Sequence, residues 1–184
     1  MRIIGGKYKG RRIVLPTGLK ARPTTDFAKE ALFNILANRI DFETLRVLDL
    51  FSGTGSISFE FASRGAEVVH LVEKEPKQIA AIRGVINHIG IPNITAYQTD
   101  TRAYLRTCIY KYDIIFADPP YDLSWLEELP GIVLDSGLLK EDGFFILEHP
   151  RNMSFSEHKG FFEHRSYGSV NFSFFSPVYP VNQK

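Results

Sequence analysis

Val47-Leu-Asp49-Leu-Phe51-Ser-Gly53-Thr-Gly55-Ser-Ile-Ser58 is the stretch on which the fold turns. Apolar β-formers over Val47–Phe51 meet two glycines one residue apart, and a helical pattern then runs to about Arg64. This is a buried parallel strand handing over to a helix. Glycines at such a turn let the backbone approach a ligand closely at the carboxyl end of the sheet. Two details argue against a dinucleotide pyrophosphate. Ser58 stands where the third glycine of Gly-x-Gly-x-x-Gly would be, and Asp49 precedes the glycines at the strand end. A carboxylate there repels phosphate and suits a cationic ammonium or sulfonium ligand.

Outward from this turn the same grammar repeats. Val68–Val72, Ile94–Gln98, Asp113–Ala117 and Gly143–Glu148 read as strands. Between them lie helices beginning at Pro76 and running to about Ile89, over 101–110 and over 124–136. Upstream, Thr24 or Thr25 caps a helix over 26–39, where Ala28, Ala31, Leu32, Ile35 and Leu36 fall at helical spacing. Strands alternating with helices predict an α/β fold with a doubly wound, Rossmann-like, mostly parallel sheet. Phe161–Tyr167 and Val170–Ser176 alternate around Gly168-Ser169 and predict a hairpin, hence an antiparallel C-terminal strand. Arg2–Gly6 and Arg11–Leu15 flank a Lys-Tyr-Lys-Gly turn and predict a small N-terminal β-hairpin. Residues 1–184 are expected to form a single domain, with 1–22 as a basic hairpin extension within it.

The chain has 184 residues, 44% hydrophobic and 23% charged, as expected of a soluble globular protein. No run of about 18 apolar residues offers a membrane span, and the first residues lack the apolar core of a signal peptide. The single cysteine, Cys108, excludes an internal disulfide and fits a reducing cytoplasm, where it reads as a small buried hydrophobe. The five histidines show no metal-ligand spacing, so no metal is expected. The net charge of +1 conceals an asymmetry. Residues 1–22 hold Arg2, Lys7, Lys9, Arg11, Arg12, Lys20 and Arg22 and no acid, which leaves 15 basic residues against 21 acids elsewhere. A basic arm on an acidic body points to a polyanionic partner engaged at one end.

Further acids follow the strands. Glu73 ends the second strand, about 20 residues after the glycines, where a carboxylate can accept from ribose hydroxyls. Asp100 follows the third, where it or the neighbouring backbone can meet an adenine amino group. With Asp49 these describe an adenosine bearing a charged amino acid and no phosphate. Asp118-Pro119-Pro120-Tyr121 at the end of the fourth strand is the most specific motif. A base amino nitrogen is a poor nucleophile because its lone pair is delocalised into the ring. The Asp118 carboxylate and the Pro119 carbonyl can hold the two N–H protons, localise the lone pair and stabilise the positive charge that develops. Consecutive prolines fix φ and donate no N–H, so the acceptors stay rigid. Tyr121 supplies a face for an extracted base, worth about 1–3 kcal/mol. Trp125 and most phenylalanines are read as core.

These residues resemble the bacterial small-subunit (16S) ribosomal RNA guanine-N2 methyltransferases of the RsmD type, over nearly the whole chain. The opening Arg2-Ile-Ile-Gly-Gly, followed by Lys9-Gly-Arg-Arg, is similar to that family's start. Leu19-Lys-Ala-Arg22-Pro-Thr-Thr-Asp-Phe-Ala-Lys-Glu30-Ala-Leu-Phe-Asn34-Ile-Leu resembles its most distinctive segment. The resemblance implies a class I methyltransferase domain using S-adenosylmethionine and acting as a cytoplasmic monomer with no obligate protein partner. Its implied substrate is one guanine of 16S rRNA on an assembled 30S particle. It further implies that Asp49, Gly53 and Gly55 line the methionine side of the cofactor, Glu73 the ribose and Asp100 the adenine, with Phe51 also expected to bind the cofactor. Asp118 and Pro119 would grip the guanine amino group with Tyr121 against the base, and Arg22, Thr24 and Thr25 would stand near the entrance. Arg2, Lys7, Lys9, Arg11, Arg12 and Arg22 are the expected RNA contacts. Ser58 departs from the small residue usual in such turns and is expected to touch no chemical role.

Three other readings stand beside this one. A DNA adenine-N6 methyltransferase shares Asp-Pro-Pro-Tyr but would need a separate target-reading domain. A protein glutamine methyltransferase usually carries Asn at position 118. A non-catalytic RNA-binding module would have no use for intact Asp49, Glu73 and Asp118.

Overall fold

The computed structural model describes residues 1–14 and 25–178. Helix α1 (Asp26–Ala37) leads through β1 (Arg46–Leu50), α2 (Ser56–Ser63), β2 (Val68–Glu73), α3 (Pro76–Ile89), β3 (Ile94–Gln98) and α4 (Thr101–Thr107). The chain continues with β4 (Tyr112–Ala117), α5 (Leu129–Asp135), β5 (Leu139–His149), β6 (Phe161–Tyr167) and β7 (Val170–Phe175). Local chemistry sets several of these boundaries. The Thr25 hydroxyl accepts from Ala28 N to open α1, Pro76 sits at the first turn of α3, and Gly90 closes α3 in the left-handed region at φ 73°.

The strands form one sheet in the order β3-β2-β1-β4-β5-β7-β6, parallel from β3 to β5. β7 inserts antiparallel between β5 and β6, the reversal expected of the C-terminal hairpin. The central strands are buried on both faces, as a parallel sheet covered by helices requires. One face packs Val47, Leu71, Ile114, Phe116 and Ile146 against apolar residues of α1, α2 and α3. The other packs Leu48, Leu50, Ile115, Phe145 and Leu147 against α4 and α5. The chain winds outward in opposite directions from β1 and β4, which leaves a crevice beyond their carboxyl ends.

Two expectations are adjusted. The helix expected over 124–136 begins only at Leu129, because Pro130 is tolerated in a first turn and not deeper. The segment before it is a series of turns closed by bonds such as Leu126 N to the Leu123 carbonyl. The strand expected at 143 begins at Leu139, with a register shift where β4 opposes it between Tyr112 and Ile114. The small N-terminal hairpin forms as expected: Arg2 and Arg12 pair antiparallel, Ile3 N donates to the Arg11 carbonyl at 3.0 Å and Ile13 N to the Met1 carbonyl at 2.9 Å, and its turn docks on α2. Lys7 N donates to the Ser63 carbonyl at 2.7 Å and Tyr8 N to Ser63 Oγ at 2.9 Å. Gly6 makes this approach possible: its φ is +72°, and a Cβ there would fall 1.8 Å from the Ser63 carbonyl oxygen. Beneath the arm, buried Lys29 donates to the Arg2 carbonyl at 2.7 Å and lies 3.6 Å from Glu60, whose Oε1 accepts from Ile4 N.

Candidate functional site

Sheet register brings the strand-end acids together. Asp49 pairs with Leu71 on one side and Phe116 on the other, and Phe116 pairs with Ile146. Residues paired in register share a face, and the face repeats every second residue. Two residues beyond that row stand Glu73, Asp118 and Glu148, so four carboxylates leave neighbouring strand ends on one face of the sheet. They line a cleft of about 910 Å³, a volume suited to a nucleoside-sized ligand.

Asp49 is buried in β1, and Ser58 Oγ donates to its Oδ2 at 2.5 Å. The serine in place of a third glycine is therefore tied to the candidate site, contrary to the sequence expectation. Burial pushes the Asp49 carboxyl up to about 7, with the charges of Asp118 and Glu73 adding to it and the Ser58 bond opposing. Glu73 holds the glycine turn: Gly53 N donates to Oε2 at 2.9 Å and Glu75 N to Oε1 at 2.8 Å. Each carboxylate oxygen keeps a further lone pair for a hydroxyl donor. Phe51 adopts φ 58°, a strained conformation for an aromatic residue, with its ring 5.8 Å from that of Trp125. Asp100 caps α4 by accepting from Ala103 N at 3.2 Å, and it also lines the cleft.

Opposite these, Asp118, Pro119 and Tyr121 form the cleft wall that follows β4. Burial pushes Asp118 up to about 7, and burial then the charge of Asp118 push Glu148 up to about 8. The Tyr121 hydroxyl, close enough to stabilise the Glu148 charge, is itself raised to about 12, by burial first. Its ring remains half exposed.

Of the residues singled out from sequence, Asp49, Phe51, Gly53, Glu73, Asp100, Asp118, Pro119 and Tyr121 meet at this cleft. Gly55 does not line it. Its φ of 74° opens α2, and a Cβ would meet the Phe59 ring at 3.0 Å, so its work is to turn the chain. Arg22 and Thr24 lie outside the described residues, but Thr25 is a wall residue. Lys9, Arg11 and Arg12 are exposed on the N-terminal segment. Lys7 leans over the Tyr8 ring at 5.5 Å, and Arg2 Nε pairs with Asp26 at 2.8 Å.

Trp125 and Glu148 are among the wall residues that sequence reasoning missed. Trp125, assigned to the core, lines the cleft under the Arg102 guanidinium, 4.3 Å from its ring. Glu148 escaped notice although it ends a strand, the same signal that marked Glu73. Among the described residues, the wall carries Lys74 as its one cation, and no group of His, Cys, Asp and Glu is arranged to hold a metal. Nor is any described helix long and apolar enough to cross a membrane. Buried Ser52 Oγ, Ser56 Oγ and Glu148 Oε2 have no partner among the described residues, and all three residues line the cleft. Such a donor set fits a hydroxyl-rich ligand carrying positive charge and does not fit a polyphosphate.

The family described as conserved hypothetical protein 95 matches residues 1–176. A putative rRNA methyltransferase of Bacillus subtilis is 33% identical over 164 residues, covering 87% of this chain and 88% of that protein. The ribosomal RNA small subunit methyltransferase D of Escherichia coli is 30% identical over 148 residues, 80% of this chain and 74% of that one. Among solved structures, a putative methyltransferase from Escherichia coli superposes with TM-score 0.82 at 27% identity, over 96% of this chain and 97% of its own. A hypothetical protein of Thermus thermophilus superposes with TM-score 0.84 at 29% identity, over 96% and 99%.

Proposed function

Because this chain belongs to the conserved hypothetical protein 95 family, that of the RsmD-type methyltransferases, we propose that it methylates the exocyclic N2 amino group of a guanine in 16S rRNA. The observation that carries this reading is the Asp118-Pro119 acceptor pair at the end of β4, on the same cleft as Asp49 and Glu73. S-adenosylmethionine, when bound, supplies an electrophilic methyl group on a sulfonium. Asp49 would face the positive charge, Glu73, which already holds Gly53, would accept from the ribose hydroxyls, and Asp100 would stand on the adenine side. Phe51 and Trp125 give apolar walls.

On the other side, Asp118 and the Pro119 carbonyl hold the two amino protons and turn the nitrogen lone pair toward the methyl group. On accepting the methyl group the target nitrogen would become cationic. The Asp118 carboxylate stabilises that charge and takes the departing proton, a task suited to a carboxyl raised to about 7. Tyr121 offers its half-exposed ring to the extruded base. Lys9, Arg11 and Arg12 meet backbone phosphates, with Lys7 and Arg2 beside them. The protein acts as a cytoplasmic monomer on a 30S-like particle.

Nucleoside mass spectrometry of 30S particles treated with the enzyme and labelled donor tests the reading. N2-methylguanosine is the expected product. N6-methyladenosine, or a preference for duplex DNA, overturns the substrate assignment.

A further inference from the structure

Glu148 has no part in the mechanism just described, yet its position needs an explanation. It is 6% exposed, lines the cleft, and its Oε2 has no hydrogen-bond partner among the described residues. Ala117 pairs with Leu147, so the next residues, Asp118 and Glu148, leave the sheet side by side. Buried carboxylates ordinarily face a cation or several N–H donors, because an unsatisfied one costs the fold free energy. Here the neighbouring groups are a second carboxylate and a tyrosine hydroxyl. That hydroxyl is a single donor, and Oε2 is left without one among the described residues.

The base supplies one. Guanine presents three N–H donors along one edge, the two amino hydrogens on N2 and the adjacent N1–H. Adenine presents an amino group next to an N1 lone pair. Asp118 and Pro119 alone accept from an amino group and cannot tell the two bases apart. With Glu148 beside them the wall offers three acceptors to three donors.

We propose that Glu148 is the specificity-determining residue for the base, its carboxylate accepting the N1–H of the target guanine while Asp118 and Pro119 hold the amino group. Donation from the guanine N1–H favours the ionised form over the protonated one that burial favours in the free protein, whereas adenine would set its N1 lone pair against the carboxylate. A site built to accept a hydrogen bond rejects an analogue lacking the donor far more strongly than a hydrophobic pocket rejects a missing methyl. The inference rests on the guanine-N2 reading and identifies the group that enforces it.

The test pairs a protein change with a base change. Ribosomal RNA is prepared with guanine or 2-aminopurine at the target position. The analogue keeps the amino group but carries a lone pair at N1 and lacks O6. The native enzyme should methylate guanine at least about tenfold faster, the loss expected for one charge-assisted hydrogen bond. In Glu148→Gln the side-chain amide can accept from guanine or donate to the analogue. The preference should then shrink to within about threefold while cofactor affinity is unchanged, a coupling that a merely structural residue would not produce. If Glu148→Gln fails to fold, Glu148→Ala serves as the second variant, and the preference must collapse there as well. Equal rates on the two bases with native enzyme overturn the proposal, as does an undiminished preference in a folded variant. Digestion of the native product keeps the underlying reading separate: N2-methylguanosine formed at equal rates removes only the role of Glu148, whereas N6-methyladenosine removes the guanine reading itself.

Discussion

Replacing Ser58 by alanine is expected to weaken S-adenosylmethionine binding through a carboxylate it only supports. Ser58 Oγ donates to Asp49 Oδ2 at 2.5 Å, and both residues are buried. A hydrogen bond to an ionised group is worth about 1.5–3 kcal/mol, which raises the Asp49 pKa by about one to two units when removed. Starting from about 7, the carboxyl of the variant then titrates between about 8 and 9. Since the ionised form is the one that faces a cationic ligand, affinity should rise with pH and level off above the pKa of the free protein. The native enzyme levels off above about 7, and the variant only near 9. At pH 7 the variant should therefore bind roughly fivefold to fiftyfold more weakly, and the gap should close toward pH 9. Isothermal calorimetry across this range, with circular dichroism to establish folding, reads both numbers. A folded variant whose deficit is absent, or is the same at every pH, would refute the reasoning.

Three other outcomes follow from the same geometry. Asp49, Asp118 and Glu148 are all raised by burial and hold more protons in the folded protein than in the unfolded chain between about pH 4 and 8, which outweighs the opposite effect of buried His70 and His149. Stability of the ligand-free protein should then fall as pH rises through that window, seen as a lower Tm at pH 8 than at 5.5, and a Tm that climbs instead contradicts these environments. Asp118→Ala should slow methyl transfer by roughly 10²-fold or more with cofactor affinity nearly intact, and a matching loss of affinity would move Asp118 to the cofactor side. Replacing exposed Lys9, Arg11 and Arg12 together by alanine should lower RNA affinity and flatten its log–log salt dependence by roughly 0.7–0.9 per lost phosphate contact. Unchanged RNA binding would leave the N-terminal segment as a solvated turn.

Much of this protein was legible in its residues because much of it is local. The alternation of apolar runs with helical spacing around Asp49–Gly55 is a property of contiguous chain, and so is the rigid acceptor geometry of Asp118-Pro119-Pro120. Such signals survive without knowledge of neighbours. Helix boundaries were less legible where tertiary contacts compete with propensity, as in the turns before Leu129. The N-terminal hairpin was legible, but where it docks is decided by the approach of Gly6 to Ser63, a contact between residues distant in sequence.

What the sequence by itself determined was the order of strands and helices, the glycine turn and the chemistry of the acids at the strand ends. Only the tertiary structure decided which groups stand together. Register across β2, β1, β4 and β5 turned four separate acids into one wall, because parallel pairing puts in-register residues on a common face. Burial then raised Asp49, Asp118 and Glu148, since a carboxylate withdrawn from water holds its proton more tightly. Ser58 acquired its tie to Asp49 across nine residues, and Glu148 its place beside Asp118 across thirty, for the same reason: distance along a chain says nothing of distance across a sheet.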